Sequence, residues 1–303
     1  MKQRPYKQID VFTATPYFGN PLAVVLDGSG LDDAAMQRFA KWTNLSETTF
    51  VLPTTQSAAD YRVRIFTPGG ELPFAGHPTL GTCHAWLQAG GQPKSKDGIV
   101  QECAKGLINI RRDATGQSLA FAAPALNRSA PPPAMLAQVA AALGIKAAQI
   151  TAAQLLDNGP VWLGLLLDAP ETVLQLAPNH NELLRLNIKV GVAGIYASPV
   201  SPLIARANRE AQAFTKSEST VAPDLEVRAF AACTGVNEDP VTGSLNASLA
   251  QWLMAEELMP EHYTASQGVC MGRAGQVDLQ RDAQGQVWVG GQSVTCINGE
   301  VTL

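Results

Sequence analysis

Apolar and β-branched residues fall in short runs along this chain, at positions 9–12, 22–26, 49–52, 61–66, 107–110, 161–167, 194–197, 226–230 and 276–279. Runs of that length, bounded by Gly, Pro, Asn and Asp, predict many short strands. Three other stretches predict helices. Residues 32–43 open on acidic side chains suited to a first turn, residues 78–89 begin with Pro78 at a favourable first position, and residues 241–257 read as a long amphipathic helix. The glycine pairs Gly69-Gly70 and Gly290-Gly291 read as turns. The pattern is that of an α+β protein.

The 303 residues suffice for two units, each able to bury a core. One break in composition, PALNRSAPPP at 124–133, divides the chain into residues 1–123 and 134–303, with the last strand free to pack on the first half. An internal echo points to related halves: His77-Pro78-Thr79-Leu80-Gly81-Thr82 matches Asp239-Pro240-Val241-Thr242-Gly243-Ser244 at an offset of 162. Upstream, Val63-Arg64-Ile65-Phe66 matches Val227-Arg228-Ala229-Phe230 at an offset of 164. Duplication or coincidence in a Gly- and Pro-containing chain would each produce such a match.

Charge and composition then exclude function classes. A net charge of −4 and a pI near 5.6 provide no basic field for a phosphate backbone, so no nucleic-acid partner is expected. The most apolar run, 161–167, ends at Asp168 and is far short of a membrane span, so no membrane association is expected. The N-terminal MKQRPYKQIDVF has no apolar core of a secretory signal, and a cytoplasmic location is the expectation. Cys83, Cys103, Cys233, Cys270 and Cys296 are odd in number and contain no CxxC, which predicts buried reduced thiols rather than disulfides or zinc. GxSxG, HExxH, GxGxxG and Walker patterns are absent, so hydrolase, metal and nucleotide-cofactor readings drop out; no cofactor or metal is expected.

Three residues remain as candidate chemistry. His77 and Asp239 each precede a proline that can open a helix, so both are expected at N-caps, where free N–H groups and partial positive charge suit a substrate carboxylate. Read singly, Asp239 is also an ordinary cap and His77 an ordinary loop residue. Glu47 enters an apolar run with no Lys or Arg within five residues on either side. A carboxyl withdrawn from water without a cation has a raised pKa, as a general acid/base near pH 7 requires, although an exposed strand-edge Glu fits the same sequence. Arg64, Arg228 and Arg273 read either as carboxylate contacts or as strand-face charges.

Together the motifs resemble the PhzF-like family, the phenazine-biosynthesis isomerase group related to diaminopimelate epimerase. The resemblance rests on Gly19-Asn20-Pro21-Leu22-Ala23-Val24-Val25, Leu45-Ser46-Glu47-Thr48-Thr49-Phe50, Phe74-Ala75-Gly76-His77-Pro78-Thr79, Asn158-Gly159-Pro160-Val161-Trp162, Glu238-Asp239-Pro240-Val241-Thr242-Gly243-Ser244, and Gln267-Gly268 ahead of Met271-Gly272-Arg273. It implies two similar halves, each a barrel-like mixed sheet around a central helix, with the site in the cleft between them. It also implies Glu47 as the proton carrier, with Gly76, His77, Asp239 and Ser244 binding the substrate. The paired cysteines of the related epimerases have no counterpart here. The expected activity is a cofactor-independent isomerase moving a proton on a small carboxylate-bearing metabolite. An amino-acid epimerase and a metabolite-binding protein without turnover stay open, and a homodimer is the expected assembly.

Overall fold

A computed structural model describes residues 1–96, 98–113, 115–196 and 222–303. The first half comprises β1 (Gln3–Val11), β2 (Asn20–Val25), helix α1 (Asp33–Thr43), β3 (Glu47–Leu52), β4 (Tyr61–Thr67), β5 (Gly70–Leu72), helix α2 (Gly76–Gln88), β6 (Ile99–Cys103), β7 (Gly106–Arg112) and β8 (Ser118–Ala122). The second comprises β9 (Asn127–Ser129), α3 (Pro133–Leu143), β10 (Ile150–Asp157), β11 (Val161–Leu167), α4 (Pro170–Gln175), α5 (His180–Leu186), β12 (Lys189–Ile195), β13 (Leu225–Ala231), β14 (Val236–Asp239), α6 (Gly243–Ala255), β15 (His262–Gln267), β16 (Gly275–Arg281) and β17 (Val287–Thr302).

Strands β1, β2, β3, β4, β6, β7, β8 and β17 pair in that order, and β17 returns to β1, closing an eight-stranded barrel. Alternate strand residues face inward, among them Ile9 and Val11 of β1 and Val63 and Ile65 of β4, and close on α2, whose Leu80, Cys83 and Ala85 are fully buried. Gly81 lets that helix lie against β1 and β2, since a Cβ there would stand 2.6 Å from Leu22 Cδ2 and 2.8 Å from Val11 Cγ2. In the second half a sheet running β9-β10-β11-β12-β13-β15-β16-β17 curls around α6. The pairing pattern repeats between the halves: parallel β2–β3, antiparallel β3–β4 and parallel β4–β6 correspond to β11–β12, β12–β13 and β13–β15. Short antiparallel strands, β5 on β4 and β14 on β13, then lead into each central helix.

Helix α6 is not amphipathic. Ten of its thirteen residues are buried, because it has strands around it rather than solvent on one face. Outer helices cover the sheets instead. Met36, Phe39 and Ala40 of α1 pack on Val25, Phe50 and Phe66, and Val139, Leu143, Val173 and Leu183 from α3–α5 pack on Leu163, Leu165, Val190, Val192 and Phe230. Each such fully buried large apolar side chain stabilises the fold by about 1.5–3 kcal/mol.

Gly290-Gly291 is not a turn. Both residues lie inside β17, which pairs with β16 and β8 at its start and with β1 over its remaining length. A Cβ at 290 would stand 2.9 Å from Ala120 Cβ and one at 291 would stand 2.8 Å from Phe12 Cδ1, so these glycines permit close strand approach. Gly69 does lie in the β4–β5 turn. The run expected at 194–197 is displaced, since β12 begins at Lys189 and ends at Ile195; Ala197 lies outside the described residues. Among the described residues, no helix is long and apolar enough to cross a membrane.

Candidate active site

The two central helices meet start to start. A Cβ on Gly243 would stand 3.1 Å from Gly76 Cα and 3.2 Å from the His77 backbone nitrogen, while one on Gly76 would stand 2.7 Å from Phe121 Cζ. Neither helix has a side-chain cap: the residues preceding them, Ala75 and Thr242, make no such bond. The first amides of α2 and α6 therefore have no intrahelical acceptors and place two positive dipole ends beside each other.

His77 and Asp239 are not N-caps. His77 is the second residue of α2, and Asp239 ends β14, three residues before the α6 cap. The reason is register. The helix starts Gly76 and Gly243 are 167 apart, so the offset of 162 had matched His77 with the wrong position. At 167, Pro73-Phe74-Ala75-Gly76-His77 overlies Pro240-Val241-Thr242-Gly243-Ser244, and His77 corresponds to Ser244. The offset of 164 does hold for the strands, where Val63 and Ile65 face inward in β4 as Val227 and Ala229 do in β13.

Glu47 is the first residue of β3, paired with Leu22 of β2, and its Oε2 stands 3.2 Å from His77 Nε2. The contact lacks hydrogen-bond geometry, and both atoms are buried without a hydrogen-bond partner among the described residues. Burial first, then the negative Asp239 nearby, raises the Glu47 pKa to about 8, against a smaller opposing influence of Lys189. Burial alone lowers His77 to about 3. At neutral pH this places an uncharged carboxylic acid against a neutral imidazole, so the pair is not a salt bridge.

Asp239 sits in a denser network. Its carboxylate accepts from Thr242 Oγ1 at 2.5 Å and from Asn20 Nδ2 at 3.0 Å. Burial raises its pKa to about 6, with these two bonds and Lys189 opposing. Asn20 Nδ2 also donates to the Val241 carbonyl at 2.8 Å and lies 3.4 Å from His77 Nδ1, thereby linking the two halves at the site. Gln267 fixes the α6 entry. Its Oε1 accepts from the Thr242 amide and Asn246 Nδ2, while its Nε2 donates to the Asp239 carbonyl and Thr242 Oγ1. Ser244 Oγ accepts from the Trp162 indole at 3.2 Å, and its carbonyl accepts from Asn158 Nδ2 at 2.9 Å.

The structure thus brings Glu47, Gly76, His77, Asp239 and Ser244 to one junction. Asn20, Thr242 and Gln267 were missed as site residues although each lies in a quoted motif; their signal was a polar residue amid apolar neighbours, and Asn20 and Gln267 are 0% exposed. The arginines lie in other contacts. Arg64 pairs with Asp33 and Glu71, Arg228 forms a bidentate buried pair with Glu238, and Arg273 donates to the Tyr17 and Gly19 carbonyls. All five cysteines are free, but only Cys83 and Cys103 are buried, and Cys270 is exposed on a 3₁₀ turn.

The phenazine biosynthesis-like family, PhzC-PhzF, matches residues 9–299. The chain is 35% identical to antisense-enhancing sequence 1 of Schizosaccharomyces pombe over 99% of both chains. It is 31% identical to the trans-2,3-dihydro-3-hydroxyanthranilate isomerase of Pseudomonas aeruginosa, over 93% of this chain and 91% of that one. The crystal structure of a Bacillus anthracis PhzF-family phenazine biosynthesis protein shares its fold with a TM-score of 0.80 at 22% identity, over 100% of both chains. A site at two abutting helix starts, in a duplicated barrel frame, is thus joined to a match over nearly the whole length, and the chain belongs to the phenazine biosynthesis-like family as one of its isomerases.

Proposed function

We propose that this protein is a cofactor-independent isomerase that shifts a proton on a small carboxylate-bearing metabolite, with Glu47 as the acid/base. The observation that carries the proposal is the buried pair of Glu47 Oε2 and His77 Nε2, 3.2 Å apart and without hydrogen-bond partners, beside the junction of two helix starts. Unpaired buried polar groups cost about 1–3 kcal/mol each, and keeping two of them face to face favours a functional role for the pair over a purely structural one.

With its pKa near 8, Glu47 begins the cycle protonated at pH 7. It gives its proton to one carbon of an unsaturated substrate, forming one C–H bond. The resulting carboxylate removes a proton from a second carbon, and the double bond moves between them. One C–H bond forms and one breaks, the carboxyl returns to its starting state, and no oxidant or reductant is consumed. The amides opening α2 and α6 offset negative charge that develops on the substrate, and Asp239, ionised above about 6, orients its polar groups. A positioned acid/base contributes about 10²–10⁴-fold.

The test is hydrogen exchange in deuterated water, with trans-2,3-dihydro-3-hydroxyanthranilate, named for the bacterial relative, and with unsaturated and α-amino carboxylates of similar size. Mass spectrometry should show deuterium entering at carbon. In Glu47→Gln, which keeps the shape of the side chain, the rate should fall by about 10²–10⁴-fold. Exchange in that variant at the wild-type rate would remove Glu47 from the mechanism.

A further inference from the structure

The repeated strand register gives Glu47 a counterpart in the second half. Thr48 pairs with Phe66 of β4, and Val190 pairs with Phe230 of β13. Phe66 and Phe230 are equivalent at the offset of 164 that relates the two strands, so the residues one step earlier, Glu47 and Lys189, are equivalent too. Each opens its strand, and each pairs with a residue of the neighbouring parallel strand, Leu22 for Glu47 and Trp162 for Lys189.

The contacts extend the correspondence. Glu47 faces His77, the second residue of α2; Lys189 lies 5.7 Å from the centroid of Trp162, whose indole N–H donates to Ser244, the second residue of α6. We infer that Lys189 is the anchor for the substrate's acid group, holding it at the α6 side of the junction so that the reacting carbons lie toward Glu47. This deepens the proton-shift reading and rests on it.

Three observations carry the inference. Among the described residues the Lys189 ammonium has no hydrogen bond and no ion pair; it stands over the Trp162 face, and the residue is partly exposed. A cation over an aromatic ring at a partly exposed site is held only weakly, which leaves most of its capacity to bind an anion unused. Second, the Ser244 hydroxyl accepts from Trp162 and gives its proton to no acceptor among the described residues, so that proton is available to a ligand oxygen. Third, Lys189 lies near enough for its charge to act on both Glu47 and Asp239, which puts that charge beside the proposed chemistry. An ammonium, a hydroxyl proton and the first amides of α6 are donors suited to a carboxylate, and the α6 start abuts the α2 start beside which the neutral acid and imidazole sit.

The test uses anthranilate and its uncharged amide, anthranilamide, which match in shape and differ in charge. Binding is titrated by calorimetry on wild type, Lys189→Met and Lys189→Arg. Wild type should bind anthranilate at least tenfold more tightly than the amide, Lys189→Met should lose that preference, and Lys189→Arg should recover much of it. A wild-type preference retained in Lys189→Met, or no preference for the anion in wild type, overturns the inference. Glu47→Gln separates it from the reading on which it rests. That variant should keep the anion preference while losing hydrogen exchange, so failure of the acid/base assignment appears in exchange and failure of the anchor appears in the charge preference.

Discussion

The two halves share a frame but differ at the positions that matter. At the strand that opens beside each helix, one half has Glu47 and the other Lys189; at the second helical residue, one has His77 and the other Ser244. Where the second half ends β14 with Asp239, the first ends β5 with Leu72. Burial acts on both sides, yet the outcomes diverge. Glu47 has no hydrogen-bond donor on Oε2 and rises to about 8, while Asp239 accepts from Thr242 and Asn20 and rises only to about 6. A duplicated fold thus supplies paired positions, and local donors decide whether a carboxyl there holds a proton or a charge at pH 7.

The comparison depends first on the closeness of the helix starts, so its largest test is to force them apart. In Gly243→Ala the new methyl would meet backbone atoms, Gly76 Cα at 3.1 Å and the His77 nitrogen at 3.2 Å, which cannot rotate away. These neighbours must give by a few tenths of an ångström, and since about 1 Å of misplacement costs on the order of 10²-fold in rate, the smaller shift should cost about threefold to tenfold. The proton-exchange rate of Gly243→Ala should therefore drop by about that factor, with overpacking lowering stability by about 1–3 kcal/mol in urea denaturation. Wild-type exchange in this variant would mean that the two dipole ends do not act as a unit.

A smaller effect separates the two carboxyls. If the working form has Glu47 protonated and Asp239 ionised, kcat/KM should rise with pH through about 6 and fall through about 8. Because Asp239 itself raises Glu47, these values belong to the pair, and Asp239→Asn should move the alkaline limb downward as well as abolish the acidic one. An alkaline limb that stays in place in Asp239→Asn would show that the two groups do not interact.

Much of this frame was legible in the sequence. The strand runs around 22–26, 61–66 and 161–167 coincide with β2, β4 and β11, because inward alternation and short length survive in any strand of a barrel. The helix expected over 32–43 forms as α1 from Asp33, with Asp32 one place outside it as a cap bonded to the Ala35 amide rather than in its first turn. Other features depend on contacts distant in sequence. The sixteen-residue β17 was hidden by Gly290-Gly291, whose lack of side chains answers strands far away in the chain. The helix-start register was hidden because the echo aligned like residue types, whereas space aligns helix starts. Lys189 carried no motif at all; only strand pairing makes it the counterpart of Glu47.

The smallest test reads the same groups through stability. Glu47 and Asp239 have folded pKa values above their unfolded ones, so between those values the folded state binds more protons and stability falls as pH rises, from about 4.5 to 8 for Glu47 and from 3.8 to about 6 for Asp239. His77 has a folded value near 3 against 6.5 unfolded, so its contribution has the opposite sign: full above 6.5 and lost as pH falls toward 3. Each group changes stability by about 1.4 kcal/mol per pH unit within its window. Below pH 6.5 the His77 and Glu47 slopes oppose each other, and between 6.5 and 8 Glu47 acts without that opposition. Wild type should lose about 2 kcal/mol from pH 6.5 to 8 in urea denaturation, and Glu47→Gln should lose less than half as much, the remainder coming from Glu226, whose pKa burial raises to about 7, and should be the more stable protein at pH 8. A wild-type curve already flat across that interval would mean that the Glu47 carboxyl ionises as easily in the fold as in the unfolded chain, and the contrast between the two halves would lose its electrostatic basis.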